Sequence, residues 1–190
     1  MKTLSLVLFT LAATFLSSQS LAEGKASDPI TVRIVPDSFN ERGERTIWLL
    51  PPLQHFRVVL TNVTKEPVRL WREWCMWGYF TLSFEATDQS GKTVNIRKKP
   101  RGWDRNYPDW TIVPPGDHMV FDVTFDESIW QNAPLPEVRE SRVVKLKAIF
   151  EIPDDEYAKE KKVWTGRVVS PEYTYTLNMR AQASILLGQN

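Results

Sequence analysis

Cysteine occurs once and histidine twice in these 190 residues, glycine is held to eight positions, and the formal net charge is only +1. One thiol, Cys75, cannot make an internal disulfide, so the folded chain must be held by its core. Two histidines, His55 and His118, with that one cysteine fall short of the usual zinc ligand sets. Nothing in the chain spells a Gly-x-Ser-x-Gly elbow or a His-Glu-x-x-His helix. Asp154-Asp155-Glu156 offers oxygen ligands but lacks the alternation and the glycine of a calcium loop. The expectation is no metal, no cofactor and no catalysis. Paired carboxylates can act from any strands, so Glu73, Glu85, Asp104 and Asp109 are left open by spacing alone.

An excess of one charge is missing too. Lys2 is the only charged residue among the first twenty-two, and the remainder balances acid against base. A nucleic-acid surface would need a basic surplus to neutralise phosphates, and only short mixed runs such as Arg97-Lys98-Lys99-Pro100-Arg101 are present. Long apolar runs are equally scarce. The longest, Leu4 to Leu16, is about thirteen residues, short of the roughly twenty that span a bilayer as a helix.

That run is informative for another reason. Lys2 precedes it and the small-residue site Ser20-Leu21-Ala22 follows, the layout of a secretory signal peptide over residues 1–22. Residues 23–190 then read as a single exported domain, secreted or periplasmic, without stable membrane insertion after cleavage. No cysteine stands at the cleavage site to take a lipid.

What the chain has in quantity is alternation of period two. Ile30, Val32 and Ile34 alternate with Thr31 and Arg33, and Phe56, Val58 and Leu60 do the same against Arg57 and Thr61. Phe80, Leu82, Phe84 and Ala86 follow, then Met119, Phe121, Val123 and Phe125, then Val144, Leu146, Ala148, Phe150 and Ile152, and last Tyr173, Tyr175 and Leu177. Strands with one wet and one dry face belong to antiparallel sheets packed face to face. The fold expected is all-β, an antiparallel immunoglobulin-like or fibronectin-like sandwich. Turns fall at Asn62 to Pro67, Asp88 to Gly91 and Pro114 to Asp117. Short helical turns are predicted over Asp126–Gln131 and Asp154–Lys161, capped by Asp126 and Asp154. Arg97–Val113, with Pro100, Gly102 and Pro108 among its aromatics, reads as one long ordered loop, a place where function tends to sit. The tail from Gln182 is expected to fray.

Tryptophan is the compositional oddity, with eight copies. Trp71, Trp74 and Trp77 crowd seven residues around Cys75, and Trp103, Tyr107 and Trp110 lie in the long loop beside Arg101. Trp, Tyr and Arg dominate interface hot spots, and flat aromatic faces also stack on sugars. These seven side chains are the candidate binding residues. On a continuous strand Trp71 and Trp77 would share one side and Trp74 the other, so part of the set is expected to fill core.

The Asn62 to Val68 turn, the Asp88 to Gly91 turn and Pro115-Gly116-Asp117 resemble the bacterial immunoglobulin-like domain of the intracellular proteinase inhibitor type, over roughly residues 54 to 125. Trp77-Gly78-Tyr79-Phe80, Lys99 to Asp104, Glu151-Ile152-Pro153 and Val163-Trp164-Thr165-Gly166 with Ser170 resemble exported bacterial proteins without characterised function. The second resemblance implies a sandwich and an exported location, and no activity. Taken together the expectation is a non-enzymatic domain that binds a protein in the cell envelope or outside it. A carbohydrate-binding module and a peptidase inhibitor are the alternatives.

Overall fold

The computed structural model describes residues 28–50, 53 and 55–179. The signal peptide expected over residues 1–22 and the tail from 182 lie outside the described residues. In chain order the first elements are β1 (Ile30–Pro36), β2 (Ser38–Phe39), β3 (Arg45–Leu49), β4 (Phe56–Asn62), β5 (Val68–Trp71) and α1 (Met76–Tyr79). Then come β6 (Leu82–Thr87), β7 (Thr93–Lys98), β8 (Trp110–Val113), β9 (His118–Val123) and β10 (Trp130–Gln131). β11 (Ser141–Ile152), α2 (Glu156–Lys161), β12 (Gly166–Val169) and β13 (Tyr173–Met179) complete the series.

Alternation does its expected work in the longer strands. Ile30, Val32 and Ile34 of β1 and Phe56, Val58 and Leu60 of β4 are buried, as are Phe121 and Val123 of β9. These strands form a three-stranded antiparallel sheet in the order β1-β4-β9. A larger mixed sheet runs β10-β7-β6-β11-β13-β3-β2, and β5 pairs with β8 apart from both. β11 carries the larger sheet. One of its edges meets β6, while the other meets β13 along its first half and β12 along its second.

The dry faces of the two sheets meet in one apolar cluster. Phe121 of β9 lies 5.9 Å from Phe150 of β11, and Phe56 of β4 lies 5.7 Å from Phe84 of β6. Phe125 and Trp130 join that second contact, with Phe56–Phe125 at 5.0 Å, Phe84–Phe125 at 5.2 Å and Phe84–Trp130 at 5.4 Å. All three are edge-to-face, a geometry worth about 0.5–1.5 kcal/mol per pair beyond burial. Two buried polar side chains fix the chain at the margins of the core. His55, 1 % exposed, lies between the chain after β3 and the chain after β9. Leu50 N–H points at its Nε2 (3.0 Å) and Phe125 N–H at its Nδ1 (2.9 Å). Asn62, also 1 % exposed, donates to Glu66 O (2.8 Å) and Val113 O (2.9 Å) and accepts from Thr64 N–H (3.0 Å) and Oγ1–H (2.8 Å). This side chain builds the turn after β4, and its amide nitrogen is occupied by those two carbonyls.

Several sequence expectations need correction. Not every strand pair is antiparallel: β3 runs parallel to β13, from Arg45 opposite Tyr175 to Leu49 opposite Met179. Phe80 does not open the dry face of β6. It ends α1 and is 47 % exposed. Asp126 caps no helix, because its Oδ1 accepts from Ser128 N–H (2.6 Å) in a local turn and Trp130 goes on into β10. The second short helix exists, but Asp155 caps it by accepting from Ala158 N–H at 2.8 Å. The long loop is shorter than expected, since Arg97 and Lys98 finish β7 and Trp110–Val113 is β8.

Candidate functional site

The aromatic segments meet where β5 and β8 pair, with Trp71 opposite Trp110. After Trp71 the chain turns on one backbone oxygen. Arg72 O accepts from Cys75 N–H (3.3 Å) and from the Cys75 thiol (3.2 Å). α1 then starts without a side-chain cap and presses Gly78 onto the same carbonyl. A Cβ at Gly78 would stand 2.0 Å from Arg72 O, so only glycine fits this approach. The 99–109 loop is clasped to this turn. Met76 N–H donates to Asn106 Oδ1 (2.9 Å), Arg72 N–H donates to Asp109 O (3.0 Å), and Arg72 Nε meets Asp109 Oδ2 (3.2 Å).

This clasp divides the seven candidate residues into two sets. Trp71 is 1 % exposed and belongs to the core, so it offers nothing to a partner. Trp77 and Trp110 are half-buried: Trp77 packs on Trp71 (6.1 Å) and on Tyr157 of α2 (5.0 Å), and Trp110 lies under the Arg69 guanidinium (4.4 Å). Between Trp71 and Trp77 the chain makes the turn and α1 in place of a continuous strand, with Trp77 packed back on Trp71 and Trp74 left outside. Trp74 (46 % exposed) and Tyr107 (59 % exposed) meet edge to face at 5.5 Å on the outside. Arg101 joins them. Its Nη2 donates to Trp74 O (3.3 Å), and its guanidinium covers the rings of Trp103 (3.9 Å) and Tyr79 (4.5 Å).

Below this outer set a groove of about 760 Å³ opens between Trp74, Arg101 and Tyr79 on one wall and Ile129 and Trp130 on the other. Lys98 reaches into it from β7 with a side chain only 3 % exposed, paired to Glu73 Oε1 and set against the rings of Tyr79 (4.6 Å) and Trp130 (5.5 Å). Burial pulls the Lys98 ammonium below its ordinary range, and the Glu73 carboxylate opposes that shift. Burial likewise raises the Tyr79 phenol, against the pull of Arg101. Arg72 is paired to Asp109, Lys98 to Glu73, and Asp122 to Arg57 (3.1 Å). Among the described residues Arg101 has no carboxylate partner. No group of three or more His, Cys, Asp or Glu converges to hold a metal among them either.

Tyr79, Lys98 and Trp130 are not among the sequence candidates, and Glu73 enters the sequence reading only as one of four carboxylates left open by spacing. Lys98 had a readable signal, because it shares the inward parity of Val94 and Ile96 along β7. Tyr79 and Trp130 had none, since only the tertiary fold brings α1 and β10 to one groove.

No family model matches this chain, and no curated protein matches it. A solved chain described as "X-ray structure of Northeast Structural Genomics Consortium target SoR45" is similar at 8 % identity and a TM-score of 0.33, covering 85 % of this chain and 92 % of that one.

Proposed function

We propose that the chain is an exported, non-enzymatic interaction domain that holds a protein partner in the cell envelope or outside it through the Trp74–Tyr107–Arg101 face. The supporting observation is the pairing of two exposed rings with an arginine that has no carboxylate partner among the described residues. Trp, Tyr and Arg concentrate binding energy at interface centres, and a guanidinium already held against two rings and bonded to Trp74 O loses little freedom when a partner carboxylate arrives. The 81° angle between Trp74 and Tyr107 supports a protein partner over a glycan, because sugar rings stack best on open coplanar faces. The finer frame we propose is immunoglobulin-like, on the strength of its two mostly antiparallel layers over one core.

The test begins with cross-linking pull-down from the envelope fraction and continues with titration of the captured protein. Trp74→Ala and Tyr107→Ala should each weaken binding by about tenfold or more, a hot-spot loss, with thermal unfolding still cooperative. Variants that bind like the parent would refute the assignment.

A further inference from the structure

The three-stranded sheet has a free edge whose hydrogen-bond parity can be read from one contact. Val63 N–H donates to Pro29 O at 3.0 Å, and β1 continues in the same register against β4. In an antiparallel ladder the bonded pairs alternate, so Thr31, Arg33 and Val35 exchange bonds with β4. Ile30, Val32 and Ile34 turn their N–H and C=O groups to the opposite side, where no described strand lies. Pro29 and Pro36 bracket this window.

The edge is not bare surface. It forms one wall of a groove of about 750 Å³ whose other wall is Val168, Val169, Pro171 and Tyr173, with Phe39 and Arg45 at one end. Phe39 (60 %), Tyr173 (42 %) and Val169 (39 %) leave apolar surface exposed there. Unpaired strand edges are usually blunted by charge, bulges or cover, and the side chains of β1 at the edge-facing positions are instead apolar and buried. The charge that is present has one dominant sign. Arg33 is exposed and Arg45 lies over the Tyr173 ring at 3.7 Å, and among the described residues neither pairs with a carboxylate; Asp28 is the single acid in the lining.

We propose that β1 accepts an extended segment of a partner protein as an added strand, with an acidic residue opposite Arg33. Parity sets the sequence this segment needs. Residues opposite Ile30, Val32 and Ile34 form the new hydrogen bonds and point their side chains into the gap toward Val168 and Pro171, so they are apolar. The residue opposite Arg33 points outward at a non-hydrogen-bonded position, where side chains come closest across strands, so a carboxylate there forms a cross-strand pair. This surface is separate from the aromatic face and stands or falls without it.

The probe is the labelled palindromic heptapeptide Val-Thr-Val-Glu-Val-Thr-Val, which presents glutamate to Arg33 in either strand direction. It should bind the full chain. Glutamate to lysine in the peptide should weaken binding about fivefold, the swing from an opposite-charge to a like-charge pair, and Arg33→Glu should reverse that preference. N-methylation of the peptide amides that face β1 should abolish binding with the protein left untouched. Hydrogen exchange should show slow amides at Thr31, Arg33 and Val35 throughout, and amides at Ile30, Val32 and Ile34 that slow only when peptide is added. No binding, or binding indifferent to both charge and N-methylation, overturns the proposal. Protection of Ile30, Val32 and Ile34 in the free chain also overturns it, assigning the edge to the chain's own ends if sedimentation shows a monomer and to a second copy if it shows a dimer.

Discussion

Lowering the pH from about 7 to about 4.5 should destabilise this fold through His55. The ring is 1 % exposed and faces backbone N–H groups at both nitrogens, Leu50 at 3.0 Å and Phe125 at 2.9 Å. A neutral imidazole has one nitrogen lone pair to offer them, and an imidazolium has none. Burial, outweighing the attraction of Asp126, lowers the ring from an ordinary 6.5 to about 4. The unfolded chain therefore takes up a proton near pH 6.5 while the folded chain resists it until near pH 4. Stability is complete above the first value and falls as the pH descends to the second. The loss is about 1.4 kcal/mol per pH unit through most of that window, or about 2.5 kcal/mol by pH 4.5. Asp126, held below its ordinary 3.8 chiefly by its hydrogen bonds to Ser128, loses its contribution only at lower pH, so the windows are distinct. Urea unfolding across this range measures the slope directly. His55→Asn should start less stable and show the slope abolished. A parent flat from pH 7 to 4.5, or a variant with the same decline, would refute the reasoning.

Other outcomes follow from the packing. Gly78→Ala forces a methyl against Arg72 O and should cost about 3 kcal/mol in denaturant unfolding; a loss under about 0.5 kcal/mol would show that α1 is not pressed on that carbonyl. Glu73→Ala strands the Lys98 ammonium among Tyr79 and Trp130, whereas Lys98→Met fills the same space without charge, so the first should lower the melting temperature more than the second. Asn62→Ala removes the donor to Val113 O and the acceptor of the Thr64 amide and should cost about 2–4 kcal/mol, against less than about 1 kcal/mol for an exposed neighbour such as Lys65→Ala. The buried Tyr175 hydroxyl has no hydrogen-bond partner among the described residues, so Tyr175→Phe should be neutral or stabilising by up to about 1 kcal/mol.

The strands that were legible in the sequence are those with one wet and one dry face. Ile30-Val32-Ile34 and Val144 through Ile152 declare themselves because solvent and core demand opposite residues at successive positions. β5 and β8 are too short to show a period, while β7 alternates but ends its dry face on a lysine, Lys98. α1 was invisible for a local reason: Cys75 gives it no side-chain cap, and Trp, Met, Gly and Tyr carry no helical stripe over one turn. The site was half legible. Composition pointed to the right two segments, but whether a tryptophan faces core or water depends on the turn at Arg72, which no pattern in the sequence announces. Trp71 and Trp74 are three residues apart and end on opposite sides of that turn.

The lone thiol sits inside the same turn. Cys75 is 0 % exposed, with its sulfur 3.2 Å from Arg72 O and 3.5 Å from Asp109 O, beneath the residues that present Trp74. An alkylating reagent can reach it only when the turn with α1 or the loop clasped over it opens, so the chain carries its own built-in stopwatch. The rate of alkylation in the native state clocks how often the aromatic surface comes apart, with no other cysteine to blur the reading.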